Sequence, residues 1–187
     1  SLSGGKVSCH ISVAKNGKTL LVANYSSGNL ASIPINDDGS LKAPASIIQH
    51  KGSSISKRQR GPHPHSINLS PDQRFAYVAD LGIDKIMIYR LNPETSKLTE
   101  NTPASFAVKP GAGPRHFTFH PNGKFAYVIN ELDNTLIVLG HNPKTGALSK
   151  IQTISTLPED FKGISYPAEV KVHPNGKFVY GSNRGHD

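Results

Sequence analysis

One segment of the chain recurs four times, and this recurrence limits the possible folds more than any other feature. The copies run from Cys9 to Asn24, from His65 to Asp80, from Arg115 to Asn130 and from Ala168 to Asn183. Each opens with an alternating run such as His65-Ser66-Ile67-Asn68-Leu69 or Arg115-His116-Phe117-Thr118-Phe119. A tight turn follows, then a second apolar run. The turns are Lys15-Asn16-Gly17-Lys18, Pro71-Asp72-Gln73-Arg74, Pro121-Asn122-Gly123-Lys124 and Pro174-Asn175-Gly176-Lys177. Asn-Gly or its equivalent between alternating runs is a strong hairpin signal. Aligned on that turn, the copies start 50 to 56 residues apart.

Two more strands follow each complete copy. They are Leu30–Ile35 with Leu41 onward, Lys85–Leu91 with Leu98 onward, and Thr135–Leu139 with Leu148–Ile154. Helical periodicity is absent. Four antiparallel strands per repeat of about 50 residues make a propeller blade. The runs Phe75-Ala76-Tyr77-Val78, Phe125-Ala126-Tyr127-Val128 and Phe178-Val179-Tyr180 are apolar on both faces, as expected of blades stacked face to face. A β-sandwich seldom repeats one four-strand unit at a fixed period. The expected fold is therefore all-β, a β-propeller with blades at 1–62, 63–112 and 113–165 and a half blade at 166–187. A propeller closes with roughly 4–8 blades. Three and a half blades are thus expected to be a piece of a longer chain, with the remaining blades missing.

The chemistry that composition permits is narrower than the net charge of +8 suggests. Such a balance raises nucleic-acid binding first. Many of the basic residues, however, are scattered over repeated turns (Lys18, Arg74, Lys124, Lys177), where they read as solvated, so no nucleic-acid partner is expected. One denser group, Lys51, Lys57, Arg58 and Arg60, is either a solvated loop or an anion attractor. The single cysteine, Cys9, excludes an internal disulfide framework. No apolar run approaches the ~18–20 residues that span a bilayer, so no membrane association is expected. Ser1–Val7 lacks a leader pattern, and the expected location is the cytoplasm. There is no phosphate loop leading into a helix and no nucleophile elbow. The run Gly61-Pro62-His63-Pro64-His65 invites a metal reading, but no carboxylate-rich set accompanies it at the aligned positions. Neither a metal nor another cofactor is expected.

Blade topology brings distant residues together. The first strand of each blade lines the central channel. The loop entering it shares the top face with the loop between the second and third strands. At the start of the first strand the copies carry Cys9, His65, Arg115 and Ala168; just after the second they carry Tyr25, Leu81, Glu131 and Arg184. His65, Arg115, Glu131 and Arg184 therefore converge on the top of the channel as candidate catalytic residues. His63, Arg58, His116, Asn130 and Asn183 are neighbouring candidates for substrate binding. Each also admits a structural role: His65 on a neighbouring backbone, Arg115 and Glu131 as an ion pair, Arg184 as a cap.

Several segments carry a family likeness. They are Pro64-His65-Ser66, Asp80-Leu81-Gly82-Ile83-Asp84, Gly111-Ala112-Gly113-Pro114-Arg115-His116, Asn130-Glu131-Leu132 and Asn183-Arg184-Gly185-His186-Asp187. Together they resemble the seven-bladed lactonase family that includes bacterial 6-phosphogluconolactonases and fungal 3-carboxy-cis,cis-muconate lactonizing enzymes. The resemblance implies seven blades when complete and action on a small anionic lactone. It points to hydrolysis of 6-phosphogluconolactone in the pentose phosphate pathway. A lactonizing cycloisomerase and a non-enzymatic binding propeller are the alternatives. It also implies roles for His65, Arg115, Glu131 and Arg184.

Overall fold

The computed structural model describes residues 3–186, which hold fourteen strands and no helix. The first sheet comprises β1 (Ser8–Val13), β2 (Thr19–Asn24), β3 (Asn29–Pro34) and β4 (Ser46–Gln49). The second comprises β5 (Pro64–Leu69), β6 (Phe75–Asp80), β7 (Lys85–Leu91) and β8 (Leu98–Ala107). The third comprises β9 (Pro114–Phe119), β10 (Phe125–Asn130), β11 (Thr135–His141) and β12 (Leu148–Ser155). A two-stranded sheet, β13 (Tyr166–Val172) and β14 (Val179–Arg184), ends the array. All pairings are antiparallel between sequence neighbours. Between sheets, β1 packs beside β5, β5 beside β9 and β9 beside β13, so the first strands share one axis.

The turn chemistry follows from backbone geometry. Gly17, Gly123 and Gly176 hold φ of 70°, 69° and 73°, in the left-handed region that a side chain disfavours. The second sheet has no glycine there, and Gln73 takes the same conformation at φ 64°. These turns lie at the end of the channel away from the candidate residues.

Apolar packing between sheets sets their spacing. Phe75, Tyr77, Ile86 and Ile88 of the second sheet meet Phe117, Val128, Ile137 and Leu139 of the third in one buried cluster. The Tyr77 and Phe117 rings stack at 5.3 Å, and the Tyr77 hydroxyl donates to the Gly146 carbonyl at 2.8 Å. A second cluster joins Leu21, Ala23 and Leu30 of the first sheet to Ile67, Val78 and Tyr89 of the second. β6 is buried along its whole length, as a doubly covered strand should be. The last sheet is a half blade. Phe178 and Tyr180 are 56% and 55% exposed, because no third strand pairs with β14 and no further sheet covers it among the described residues.

A β-bulge interrupts the start of every first strand. The pairing skips Cys9 in β1, His65 in β5, Arg115 in β9, and Ala168 with Glu169 in β13. A bulged residue leaves the ladder, raises the local twist and has its side chain re-aimed. The residue closing each second strand is tied beside it. The amides of Tyr25, Leu81 and Glu131 donate to the carbonyls of Val7, His63 and Gly113, two residues before each bulge. The two aligned sets found by repeat comparison are thus physical neighbours in each blade.

Buried carboxylates fix the loops that enter these strands. Asp84 accepts from the Gly111 and Gly113 amides at 2.6 and 2.7 Å, which holds the approach to Arg115. Asp80 accepts from the His63 and Gly82 amides at 2.7 and 2.9 Å, and its other oxygen lies 2.6 Å from His50 Nδ1. Glycine is required at 82, since a Cβ there would fall onto the Gly61 carbonyl oxygen.

Packing between the second and third sheets predicts a specific cost. Ile88→Ala removes a side chain that is 0% exposed and should destabilise the full-length protein by about 2–5 kcal/mol, read from urea denaturation. Ile55→Ala, at a position 78% exposed, is the control, and equal effects of the two would contradict this packing.

Candidate functional site

Glu131 sits at the centre of the top face with its side chain only 4% exposed. Three guanidiniums reach it from three separate segments. Arg115 Nε donates to Oε2 at 2.9 Å from the bulge of β9. Arg184 Nη2 lies 3.0 Å from the same oxygen, from the end of β14. Arg58 Nη1 lies 2.6 Å from Oε1, from the long loop before β5. Arg115 Nη1 also donates to the Ala168 carbonyl at 2.7 Å, which ties the third blade to the fourth sheet. Arg58 and Arg184 remain about half exposed, at 44% and 50%, whereas Arg115 is 16% exposed. Arg184 Nε further donates to the Tyr166 carbonyl at 3.2 Å, and Arg58 lies over the Tyr166 ring at 5.8 Å.

The electrostatics follow from this arrangement. Burial pushes the Glu131 carboxyl up, but the Arg58 hydrogen bond and the charges of Arg58, Arg184 and Arg115 more than offset it, and its pKa is lowered. Three guanidiniums against one carboxylate leave two positive charges at the mouth without a protein counter-charge among these groups. Two of the three guanidiniums face solvent, so the local potential at the mouth is positive.

Imidazoles line the neighbouring wall. His63 stacks on Tyr25 at 4.5 Å, and its Nδ1 lies 3.0 Å from the Tyr25 carbonyl. Tyr25 is edge-on to His65 at 5.4 Å, and His65 is 5.3 Å from His116. His65 Nδ1 is buried with no hydrogen-bond partner among the described residues. Desolvation, reinforced by the Arg115 charge, lowers the His65 pKa to about 4, so the ring is neutral at neutral pH. His116 is lowered too, by burial, against the opposing pull of Glu169.

The structure brings His65, Arg115, Glu131, Arg184, Arg58, His63 and His116 to one opening. Asn130 and Asn183 are directed elsewhere. The Asn130 amide donates to Thr135 Oγ1 at 2.8 Å inside its own blade, and the Asn183 amide donates to the Thr156 carbonyl at 2.8 Å. Lys51, Lys57 and Arg60 are exposed, and Arg58 alone of that basic group reaches Glu131. Sequence reasoning missed the contributions of Tyr25, His10, Glu169 and Asp84. Tyr25 had a signal, since it occupies the same loop position as Glu131. No group of three or more histidine, cysteine or acidic side chains among the described residues is arranged to hold a metal ion. No helix of the described residues is long and apolar enough to cross a membrane.

The family model described as "Lactonase, 7-bladed beta-propeller" matches residues 1–187. The 6-phosphogluconolactonase of Bacillus subtilis (strain 168) is 43% identical over 186 residues, covering 100% of this chain and 52% of that protein. The 6-phosphogluconolactonase of Serratia proteamaculans (strain 568) is 38% identical over 176 residues, 94% of this chain and 50% of that protein. The solved periplasmic gluconolactonase of Pseudomonas aeruginosa superposes with a TM-score of 0.89 at 35% identity, over 95% of this chain and 50% of its own. The chain spans about half the length of each relative.

The Glu131 cluster predicts a pH signature. Because the folded carboxyl titrates below its ordinary value of 4.5, its ionised form stabilises the fold above that pH, and the contribution is lost as pH falls through the depressed value. At neutral pH, Glu131→Gln should therefore be less stable than the wild type by about 2 kcal/mol, the half exposure of two partners limiting the loss. The gap should close on acidification below that range. A gap independent of pH, measured by denaturant unfolding across the acid range, would contradict the assignment.

Proposed function

The chain belongs to the lactonase family of seven-bladed β-propellers, and we propose that the protein hydrolyses a sugar-acid lactone, with 6-phosphogluconolactone as substrate and 6-phosphogluconate as product. The observation that carries this reading is the convergence of Arg58, Arg115 and Arg184 on the buried Glu131, beside two neutral imidazoles. A phosphate monoester carries about −1.5 to −2 charge at neutral pH, which matches the two uncompensated guanidinium charges. In this reading the half-exposed Arg58 and Arg184 bind the phosphate.

Lactone hydrolysis needs an activated water, stabilisation of the tetrahedral oxyanion and a proton for the departing ring oxygen. Arg115 is held by Glu131 and Ala168 through Nε and Nη1, and offers Nη2 to the carbonyl oxygen as it gains charge. Glu131, engaged by three guanidiniums, orients them and is a poor proton carrier. His65 and His116, neutral and 5.3 Å apart, face the carbonyl carbon and its attacking water. The reading assigns the protein to the pentose phosphate pathway and to the cytoplasm. The similarity to a gluconolactonase supports a second reading, an unphosphorylated sugar lactone as substrate.

Kinetics of the full-length protein on paired lactones test both readings. Arg115→Ala and His65→Ala should each lower kcat/KM by about 100-fold or more. Arg58→Ala and Arg184→Ala should raise KM for the phosphorylated lactone by about 10-fold and leave the plain lactone nearly unchanged. Near-normal turnover by both His65→Ala and Arg115→Ala would sink the lactonase assignment. Equal effects of Arg58→Ala on both lactones would exclude the phosphate role.

A further inference from the structure

We propose that Glu169 is a positioning residue that fixes His116 as the general base of this opening. The inference rests on the lactonase reading and specifies which group takes the proton from water. It comes from side chains beside the guanidinium cluster, at the bulges (His65, Glu169) and one residue beyond them (His10, His116).

Three imidazoles meet there. His116 is 5.3 Å from His65 and 5.3 Å from His10, which reaches in from the first blade. Their hydrogen bonding separates them. His10 Nδ1 accepts the Ile67 amide at 3.3 Å, so the proton of the neutral ring is on Nε2 and that ring nitrogen is a donor. His65 Nδ1 has no partner among the described residues, and its ring lies beside the Arg115 guanidinium, which opposes protonation. His116 Nδ1 alone faces a carboxylate, with Glu169 Oε1 at 2.9 Å. An ionised carboxylate only accepts, so Nδ1 carries the hydrogen and Nε2 keeps its lone pair. The same carboxylate is then in place to stabilise the imidazolium once a proton arrives.

The β13 bulge makes this contact possible. It removes Ala168 and Glu169 together from the ladder. The Glu169 amide is anchored to Ser182 Oγ at 3.0 Å, and Oε1 also accepts the Val170 amide at 2.9 Å. His116 is 12% exposed, whereas Glu169 is 41% exposed. The charged and titratable groups facing His116 are Glu169 and Lys171 from β13, Arg115 from β9, His65 from β5 and His10 from β1. Of these, only Glu169 favours the protonated ring among the groups that act on it most strongly.

Water loses a proton to His116 Nε2 as its oxygen bonds to the lactone carbonyl carbon. The carbonyl π electrons move to the oxygen facing Arg115. They return as the ring C–O bond breaks, and the ring oxygen keeps that bond pair and takes the proton from the His116 imidazolium. The open-chain acid then releases its own proton to solvent.

The test uses Glu169→Gln in the full-length protein, which keeps the hydrogen-bond acceptor and removes the charge. Partial exposure of Glu169 means the variant should fold, which thermal unfolding verifies. We expect kcat to fall about 10- to 100-fold with KM changed less than about twofold. The acidic limb of the pH–rate profile should move to lower pH, because the imidazolium loses its carboxylate. Nitrogen NMR should find the His116 proton on Nδ1 in the wild type and a lower titration point in the variant. Turnover with an unmoved acidic limb would overturn the role of Glu169 alone, as would a wild-type His116 protonated on Nε2. The expected NMR behaviour with no turnover of any lactone by the wild type would instead overturn the lactonase reading, and the base assignment with it.

Discussion

A single carboxylate, Glu131, shielded from water and shared by three guanidiniums, organises the top of this molecule. Without it, Arg58, Arg115 and Arg184 would repel one another across a few ångströms. With it they hold one arrangement and retain an excess of positive charge. The three arginines come from a long loop, a first strand and a second-strand terminus belonging to three blades. The ion cluster therefore also acts as a clamp between blades, and the Arg115 bond to the Ala168 carbonyl adds to it. A buried charge group of this kind stabilises the fold only when its partners are all present.

The β-bulge at the head of each first strand is what delivers the side chains. In a regular strand neighbouring residues face opposite ways, and a channel wall would present every second residue. The bulges at Cys9, His65, Arg115 and Ala168–Glu169 break that alternation at one level of every blade. The level is then held by the amides of Tyr25, Leu81 and Glu131 and by the buried carboxylates of Asp80 and Asp84. Arg115 can thus face Glu131 while His116, the next residue, faces Glu169. Two tiers of chemistry arise from consecutive residues of one strand.

The repeat made the architecture legible, since turn chemistry and strand alternation recur at a period that only a blade explains. It also made the Arg115, Glu131 and Arg184 part of the cluster legible, because aligned positions in a propeller are spatial neighbours, whereas Arg58 reaches Glu131 from a loop outside the repeat. What lay beyond reach was side-chain commitment. Asn130 and Asn183 flank the right positions, yet the Asn130 amide serves its own loop and the Asn183 amide caps the segment after β12. Nothing in the strand pattern of β13 sets Glu169 apart, and only the two-residue bulge turns it toward His116. His10 was hidden likewise, because its contact with His116 spans the intervening second blade.

The most direct measurement of the central idea is a crystal structure of the full-length protein with 6-phosphogluconate bound. The account predicts the phosphate within hydrogen-bond distance of Arg58 and Arg184, the carboxylate end against Arg115, and His116 Nε2 facing the carboxyl carbon, with Glu131 still bridging the guanidiniums. An occupied site elsewhere, with the Glu131 cluster unengaged, would contradict it.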